Sequence, residues 1–548
     1  MHFKDQKNYL LIFLYFLAGL LGLLIFDDYG TSIDQDNIRI VGFLSLENIY
    51  NFFKINVPIG VLEITANQIN FGDELTPSSG PLFNLVMAFL ELLFDITETN
   101  QQFFLRHLSS FLLFLTSSYF LFKIILLRYN CYRIAFLSIL FLLISPRIFS
   151  NSFINSNDIV FLSFSLINLY AFIIFFKTPS FLNSTLCSFT TALTISSRLF
   201  GLIFLILAVL IFFINILRSN NNKKKIYQLA NYIFFTFFFF IIFWPYLWEN
   251  PFLNFYNILN NLNNHFLNIH IFYNNEIYYF KSIPWKYYFE WIFYTTPPLY
   301  TLLFLIGFFF IIKRVFIRLM KIENNKPLND LWRGDKEGID FIVILFLIVP
   351  FIFLVDSKKV SYNGWRHLYF IYPFFLIVCC NALYRIKTFI LLKKNFFTNV
   401  FLVMLLPTFF WMVKNHPYQN FYFNFLLKDS IVQNKFEIDY FGVSGRYALD
   451  YILKNNKNEI SIYTPNTIDL SLSFKLLNEP NKNRVSIVNS QSSSDFVINN
   501  YFSWKGKLKP NEYEIPNGYK LYHEILLRYF LLLVQLYLRL LHINQYYY

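Results

Sequence analysis

The sequence predicts an all-α polytopic membrane protein of about eleven transmembrane helices, with a small mixed α/β domain at its C-terminal end. Three observations predict it. Of 548 residues, 56% are hydrophobic and only 14% charged, with a mean hydropathy of +0.44, a balance foreign to soluble chains. Apolar runs recur at spanning length, and a helix needs ~20 apolar residues to cross the hydrocarbon. After residue 413 the composition turns polar and rich in Asn, Ser and Lys, with only short β-like runs such as Ile460–Tyr463 and Val485–Val488. The formal charge of +13 would also suit a nucleic-acid partner. Here the basic residues sit in short loops between apolar runs, where they set topology, so no nucleic-acid partner is read from them.

The first apolar segment, 9–26, follows Lys4 and Lys7 and is not succeeded by a small-residue cleavage site, so it reads as an uncleaved first helix. Ten further spans are expected at 104–125, 132–148, 158–176, 181–195, 199–217, 229–247, 297–313, 339–355, 366–385 and 396–413, the one at 181–195 being short. Four loops are basic: Lys123, Arg128 and Arg133; Arg218 with Lys223–Lys225; Lys313, Arg314, Arg318 and Lys321; and Arg385, Lys387, Lys393 and Lys394. With this segment count all four share the side of the N-terminus, the cytoplasmic side by the positive-inside rule. The chain then reads as a multi-pass protein of a bacterial inner membrane. Residues 1–413 are its transmembrane domain, and 414–548 form an outward, periplasmic domain.

Two outer loops are long. The first, 27–103, contains Pro81–Phe94, an apolar stretch too short to span and expected to lie along the interface. The second, 248–296, is aromatic near its ends, with Trp248, Trp285, Tyr287, Tyr288 and Trp291, residues that favour the headgroup level. The run Ile525–Leu541 is apolar again but holds Arg528 and Arg539, and either crosses the membrane or lies on it. The cysteines, Cys131, Cys187, Cys379 and Cys380, fall in or beside apolar segments and show neither a disulfide framework nor a C-x-x-C pattern.

Chemistry is expected in the first outer loop. Between residues 27 and 105 stand eleven carboxylates (27, 28, 34, 36, 47, 63, 73, 74, 91, 95, 98) against Arg39 and Lys54 alone. Ionisable groups at membrane depth are costly and tend to mark function. Asp34 is the expected catalytic carboxylate, a group suited to accept a proton from a hydroxyl that attacks a sugar carbon. Arg106, Arg147, Arg198 and Arg366 lie at helix ends on that same side, with His367 beside the last and Asp158 opening the fourth span. The planar guanidinium fork suits phosphate oxygens, although single arginines at helix ends also snorkel to headgroups. Histidines 107, 367 and 416 lack metal-ligand spacing, so no metal site is assigned; a divalent cation on the acidic loop stays open because hard cations favour carboxylates. There is no P-loop or dinucleotide-binding glycine motif.

These stretches, taken in order, resemble the polytopic GT-C glycosyltransferases. The likeness is to the superfamily of dolichyl-phosphate-mannose protein mannosyltransferases and bacterial aminoarabinose transferases. The resembling stretches are Asp28–Asp34, Leu105–Leu108, Ser145–Phe149 with Asn157-Asp158, Ser197–Gly201, Trp244–Trp248, Tyr362–His367, His416–Asn424 and Phe436–Gly442. The resemblance implies a polyprenyl-phosphate sugar donor and transfer with inversion at the outer face, Asp34 acting as base. It implies arginines 106, 147, 198 and 366 with His367 on the donor phosphate, supported by Asp28, Asp158 and Gln35. Two departures stand out: the family commonly has Asp-Glu where this chain has Asp34-Gln35, and often a basic residue where it has Asn157. Two other classes stay open from the residues: a transporter or flippase for a lipid-linked saccharide, and a non-catalytic membrane protein of envelope assembly. A transporter would favour charged or Gly/Pro-interrupted positions at mid-membrane and paired halves, neither of which the sequence displays.

Overall fold

The computed structural model describes residues 2–66, 80–218, 222–264, 270–320, 331–357, 363–389, 394–464, 470–499 and four short strands beyond them. Asp73, Glu74, Lys321, Lys393 and Tyr362 lie outside the described residues. The chain starts with α1 (His2–Ile25), and the first long loop then holds α2 (Gln35–Phe52), α3 (Ile59–Ala66) and α4 (Leu82–Leu93). The bundle continues with α5 (Thr99–Tyr129), α6 (Tyr132–Leu143), α7 (Pro146–Ile154), α8 (Ser156–Lys177), α9 (Phe181–Ser197), α10 (Leu202–Leu217) and α11 (Asn222–Ile242). The second long loop carries α12 (Pro251–Asn264), an antiparallel hairpin of β1 (His270–Tyr273) and β2 (Glu276–Tyr279), and α13 (Lys286–Thr295). The bundle closes with α14 (Pro298–Met320), α15 (Gly334–Ser357), α16 (Tyr372–Phe389) and α17 (Lys394–Lys414).

Each of the eleven expected spans is helical. Among the described residues, seven helices are long and apolar enough to cross a membrane, and the bent pair α6–α7 counts as an eighth. The protein is an integral, multi-pass membrane protein. The expected span 132–148 is not one straight helix: it breaks after Leu143 and turns by 61° into α7. Pro146 is the cause. It drives Ser145 into an extended conformation (φ −103, ψ 99) and then starts a new helix from its N1 position. The first loop also holds more structure than its sequence suggested, since α2 and α3 precede the interfacial stretch. That stretch, α4, turns Asn84 and Glu91 inward and leaves Val86, Phe89 and Leu93 exposed, the polarity expected of a helix facing lipid.

The central helix is α16, buried along almost its whole length and packed against α14. Gly307 permits that approach, because a Cβ there would stand 2.1 Å from the Val378 carbonyl oxygen. At one end of the bundle the four basic loops meet. Asp340 accepts from Arg128 at 2.6 Å and from Arg314 at 2.7 Å, joining α5, α14 and α15. Arg218 lies 3.9 Å over the Trp332 ring, Arg385 faces Phe310, and Lys387 reaches Cys131 at 3.0 Å.

Residues Phe421–Phe423, α18 (Asp429–Lys435) through Val432, and Phe436–Val443 pack into the bundle core. A second, smaller core begins at Ala448. It joins α19 (Ser444–Asn455), β3 (Ile460–Tyr463), α20 (Ser471–Lys475), β4 (Val485–Ile487) and β5 (Phe496–Asn499), while the short α21 (Glu479–Lys482) between α20 and β4 has no buried residue. Strands β6 (Tyr519–His523), β7 (Leu526–Arg528), β8 (Leu533–Gln535) and β9 (Arg539–Ile543) follow. The five-stranded sheet has the order β4-β3-β5-β9-β6, parallel across β4, β3 and β5 and antiparallel beyond, so the domain is mixed α/β as expected. Where it is described, the apolar run 525–541 is strand rather than a membrane helix.

Asp340 is buried while Arg128 and Arg314 keep 10% and 15% side-chain exposure. Asp340→Asn leaves two guanidiniums without their anion, and breaking such a buried group costs ~3 kcal/mol or more. A marked drop in the unfolding temperature of the detergent-solubilised protein is expected; an unchanged one would remove Asp340 from this role.

Candidate active site

Four local devices place the functional side chains at the end of the bundle opposite the basic loops. Pro146 starts α7, and Arg147 is its second residue. Asn155 caps α8: its Oδ1 accepts from the Asp158 N–H at 3.3 Å and its Nδ2 donates to Asp158 Oδ2 at 2.5 Å. An acidic residue in the first helical turn is favoured there by the dipole. Arg198 is extended between α9 and a single 3-10 turn, Leu199–Gly201, that leads into α10. Asn363 and Gly364 both take positive φ (59° and 73°) and turn the chain into the 3-10 segment Arg366–Ile371 ahead of α16.

Asp34 and Arg366 meet in an ion pair, Arg366 Nη1 donating to Asp34 Oδ2. The Arg366 side chain is buried and Asp34 is 36% exposed, so the carboxylate is the partner that solvent or a ligand reaches. The Arg366 guanidinium also lies 5.4 Å over Phe441. Beside this pair, Arg198 Nη2 forms an ion pair with Asp158, 2.6 Å from Oδ1. His367 stands within electrostatic reach of both Arg198 and Arg366. Gln35 is buried, donating through Nε2 to the Ile154 carbonyl at 3.3 Å and to Ser156 Oγ at 3.1 Å. It thereby ties the start of α2 to the α7–α8 junction. A glutamate there, accepting only, has no proton for the Ile154 carbonyl. The departure at Gln35 thus has a structural reason. Asn157, the other departure, accepts from Asn84 Nδ2 at 3.5 Å.

Arg147 is buried under different conditions. Its Nη1 donates to Tyr440 Oη and its Nη2 to the Tyr422 carbonyl, both at 3.4 Å, and Trp291 and Phe423 flank the guanidinium at 5.0 and 5.5 Å. Among the described residues it has no carboxylate in salt-bridge range. Arg106 is placed elsewhere: it pairs with Glu91, which also accepts from Arg39 at 2.9 Å, and it donates to the Gln102 carbonyl at 2.8 Å. Arg106 faces α4 from the second turn of α5, so it binds α2, α4 and α5 together, and its described contacts do not bring it to Asp34.

Asp28 accepts from His416 Nε2 at 2.8 Å, while His416 Nδ1 accepts from Gln419 Nε2 at 3.2 Å and Gln419 Oε1 accepts from Tyr29 Oη at 3.1 Å. Tyr29 stacks on Phe153 with centroids 4.5 Å apart, and burial pushes its phenol pKa well up. His416, Gln419, Tyr440 and Trp291 belong to resembling or aromatic stretches, yet nothing in their spacing marks these side chains for the site. Glu437, also unmarked, is buried, with Oε1 accepting from the Phe272 N–H at 2.7 Å. Among the described residues no three His, Cys, Asp or Glu side chains gather as a metal site, and Asp28, Asp34, Asp36 and Asp158 each face a protein side chain able to donate.

The family model for dolichyl-phosphate-mannose-protein mannosyltransferase matches residues 78–245. That stretch contains Arg106, Arg147, Asp158 and Arg198 and leaves out Asp34 and Arg366, and it bears out the GT-C resemblance read from the sequence. None of the curated proteins matches the chain. Among solved structures the chain is similar to ArnT from Cupriavidus metallidurans in the apo state. Identity is 14%, over 88% of this chain and 86% of that one, with a TM-score of 0.46. The same protein bound to undecaprenyl phosphate gives 14% identity, the same coverage and a TM-score of 0.43.

Burial pushes the Glu437 carboxyl from its ordinary 4.5 up to about 8, against the opposing Phe272 hydrogen bond. An acid raised by folding adds stability that is complete below pH 4.5 and is lost as pH rises through about 8. The unfolding temperature of the wild type is therefore expected to fall between pH 5 and pH 9 more steeply than that of Glu437→Gln. Parallel curves would show that Glu437 ionises as an ordinary surface acid.

Proposed function

We propose that the chain is an integral membrane glycosyltransferase that moves a sugar from a polyprenyl-phosphate donor to an acceptor hydroxyl, with inversion, at the outer face of the membrane. The observation that carries this reading is the meeting of Asp34 with Arg366 beside the Asp158–Arg198 pair. A partly exposed carboxylate stands next to the buried Arg366 guanidinium and the partly exposed Arg198 one, at the end of the bundle away from the basic loops. The family match over 78–245 supports the same class of chemistry. The outer face follows from the positive-inside rule applied to the four basic loops.

In this mechanism the acceptor oxygen attacks the anomeric carbon from the side opposite the leaving phosphate, and Asp34 takes its proton. One displacement inverts the anomeric centre. Arg366 and Arg198, with His367 close to both, receive the charge that develops on the departing phosphate. Their value lies in being already in place, since donors fixed in a partly dry site stabilise developing charge without reorganising. Arg147, buried and with no carboxylate in salt-bridge range among the described residues, offers a further guanidinium to the donor. Asp158 holds Arg198, Gln35 holds the base of the first loop, and Asp28 anchors its beginning. Arg106 acts through Glu91 on the packing of α4 rather than on the donor.

General-base assistance is typically worth ~10²–10⁴-fold. With radiolabelled polyprenyl-phosphate sugars, wild-type membranes are expected to transfer label and Asp34→Asn membranes to lose that factor at equal protein abundance. Equal transfer by both would mean another carboxylate is the base, and transfer by neither from any donor would sink the reaction class. A hydrogen bond to a charged group contributes ~1.5–3 kcal/mol, or roughly 10–100-fold in affinity. Arg366→Ala should raise the KM for donor by that order, and an unchanged KM would exclude Arg366 from the phosphate.

A further inference from the structure

Gln35, next to Asp34, ties the start of α2 to the α7–α8 junction, and two other near neighbours of Asp34 reach the C-terminal domain. Ile33, one residue before it, packs on a small apolar cluster of Phe103, Leu472 and Leu476. Asp36, two residues after it, accepts from Lys475 Nζ at 2.5 Å. Leu472 and Lys475 belong to α20, and Leu476 follows it. The same element is fixed to the start of α5, where Thr99 Oγ1 donates to the Lys475 carbonyl at 3.1 Å and accepts from Lys482 Nζ at 2.8 Å. Upstream, the segment is held as closely. Asp28 meets His416, the Tyr29 carbonyl accepts from Arg446 Nη1 at 3.1 Å, and a Cβ on Gly30 would stand 2.8 Å from the Val443 carbonyl oxygen.

Asp34 itself occupies the N-cap position of α2 but makes no capping hydrogen bond, because its carboxylate goes to Arg366. The first turn of α2 therefore takes its direction from other contacts: Gln35 is held by the α7–α8 junction, and Asp36 by Lys475 of the C-terminal domain. We propose that α20 is a positioning element of the active site. Lys475 acting through Asp36, and Leu472 with Leu476 acting through Ile33, set where the Asp34 carboxylate stands. The C-terminal domain is then part of the catalytic unit, and displacement of α20 displaces the base. This inference rests on the reading of Asp34 as base.

The Lys475–Asp36 pair is 38% and 29% exposed, and pairs so exposed contribute little to stability. Substitutions there should leave folding and abundance unchanged, so a change in turnover reports on position. The test compares wild type, Lys475→Asp, and the reciprocal swap Lys475→Asp with Asp36→Lys. Sugar transfer and hydrogen exchange over residues 28–36 are both read. Small misplacements of a catalytic group are costly. The expected result is a ~10-fold lower kcat for Lys475→Asp, recovery to within ~3-fold in the swap, and a donor KM within ~2-fold in all three. Exchange should quicken in the single variant and return in the swap. Wild-type kcat in Lys475→Asp, or a swap no better than the single variant, would overturn the proposal. If the wild type transfers no sugar from any donor, the transferase reading fails by itself. Exchange then decides, and unchanged protection at 28–36 ends the positioning role.

Discussion

A guanidinium cannot be stripped of water in a low-dielectric interior without a partner, and the arrangement of this bundle depends on how that demand is met. At one end Asp340 serves Arg128 and Arg314 and so fixes three helices to each other. Under the first loop Glu91 serves Arg39 and Arg106 and ties α2 and α4 to α5. At the opposite end the pairs Asp34–Arg366 and Asp158–Arg198 draw the start of α2, the start of α8, the α9–α10 turn and the approach to α16 to one place. Leaving one member of such a pair unmatched costs several kcal/mol, so the pairs constrain which helix ends can lie side by side. Arg147 departs from the pattern, with aromatic rings, a phenol and a carbonyl in place of a carboxylate. Two classes of arginine follow: those consumed by architecture, such as Arg106 and Arg128, and those with capacity left for an anion.

Irregular backbone does the rest. Pro146, the Asn155 cap, the 3-10 turn at Leu199–Gly201 and the positive-φ pair Asn363-Gly364 all lie at one level of the bundle. Each interrupts a helix where it leaves the regular bundle. Non-helical backbone at such depth is tolerated only where protein or a polar cavity meets its free groups. The interruptions and the charged pairs are therefore one feature: side chains at a helix break can turn toward the bundle axis, where a continuous helix would present them to lipid.

The spans were legible because lipid imposes a compositional demand on every residue of a crossing helix, and among the described residues seven helices, or eight with the bent α6–α7 pair, meet it. The break at Ser145-Pro146 was visible as a motif, but not its 61° turn, which depends on what α7 packs against. The expected face of Asp34, Arg198 and Arg366 emerged from topology alone. The pairing of Asp34 with Arg366 did not, because the two lie 332 residues apart and no spacing rule reaches that far. Arg106 looked equivalent to the other arginines, since its neighbour Glu91 lies on a short apolar stretch whose inward polar face is seen only once α4 is folded against α5. The first-loop helices α2 and α3 escaped notice for a related reason: they are too short or too polar to read as spans, at 18 and 8 residues. The C-terminal domain was legible as to class, while its grip on Ile33 and Asp36 depends on tertiary contacts alone.

Four helical segments open at the level of the candidate site: α7 just ahead of Arg147, α8 just ahead of Asp158, the 3-10 turn after Arg198, and the segment that starts with Arg366. Each N-terminus carries the positive end of its peptide dipoles, roughly half an elementary charge for a full helix, and leaves backbone N–H groups without intrahelical partners. These N-termini add positive partial charge at this end of the bundle, set against the negative ends of α7 and α9 that close beside them, and that contribution is built into the backbone. An anion approaching along the membrane surface would feel this attraction even with an arginine deleted. The side chains would then govern orientation and chemistry more than arrival.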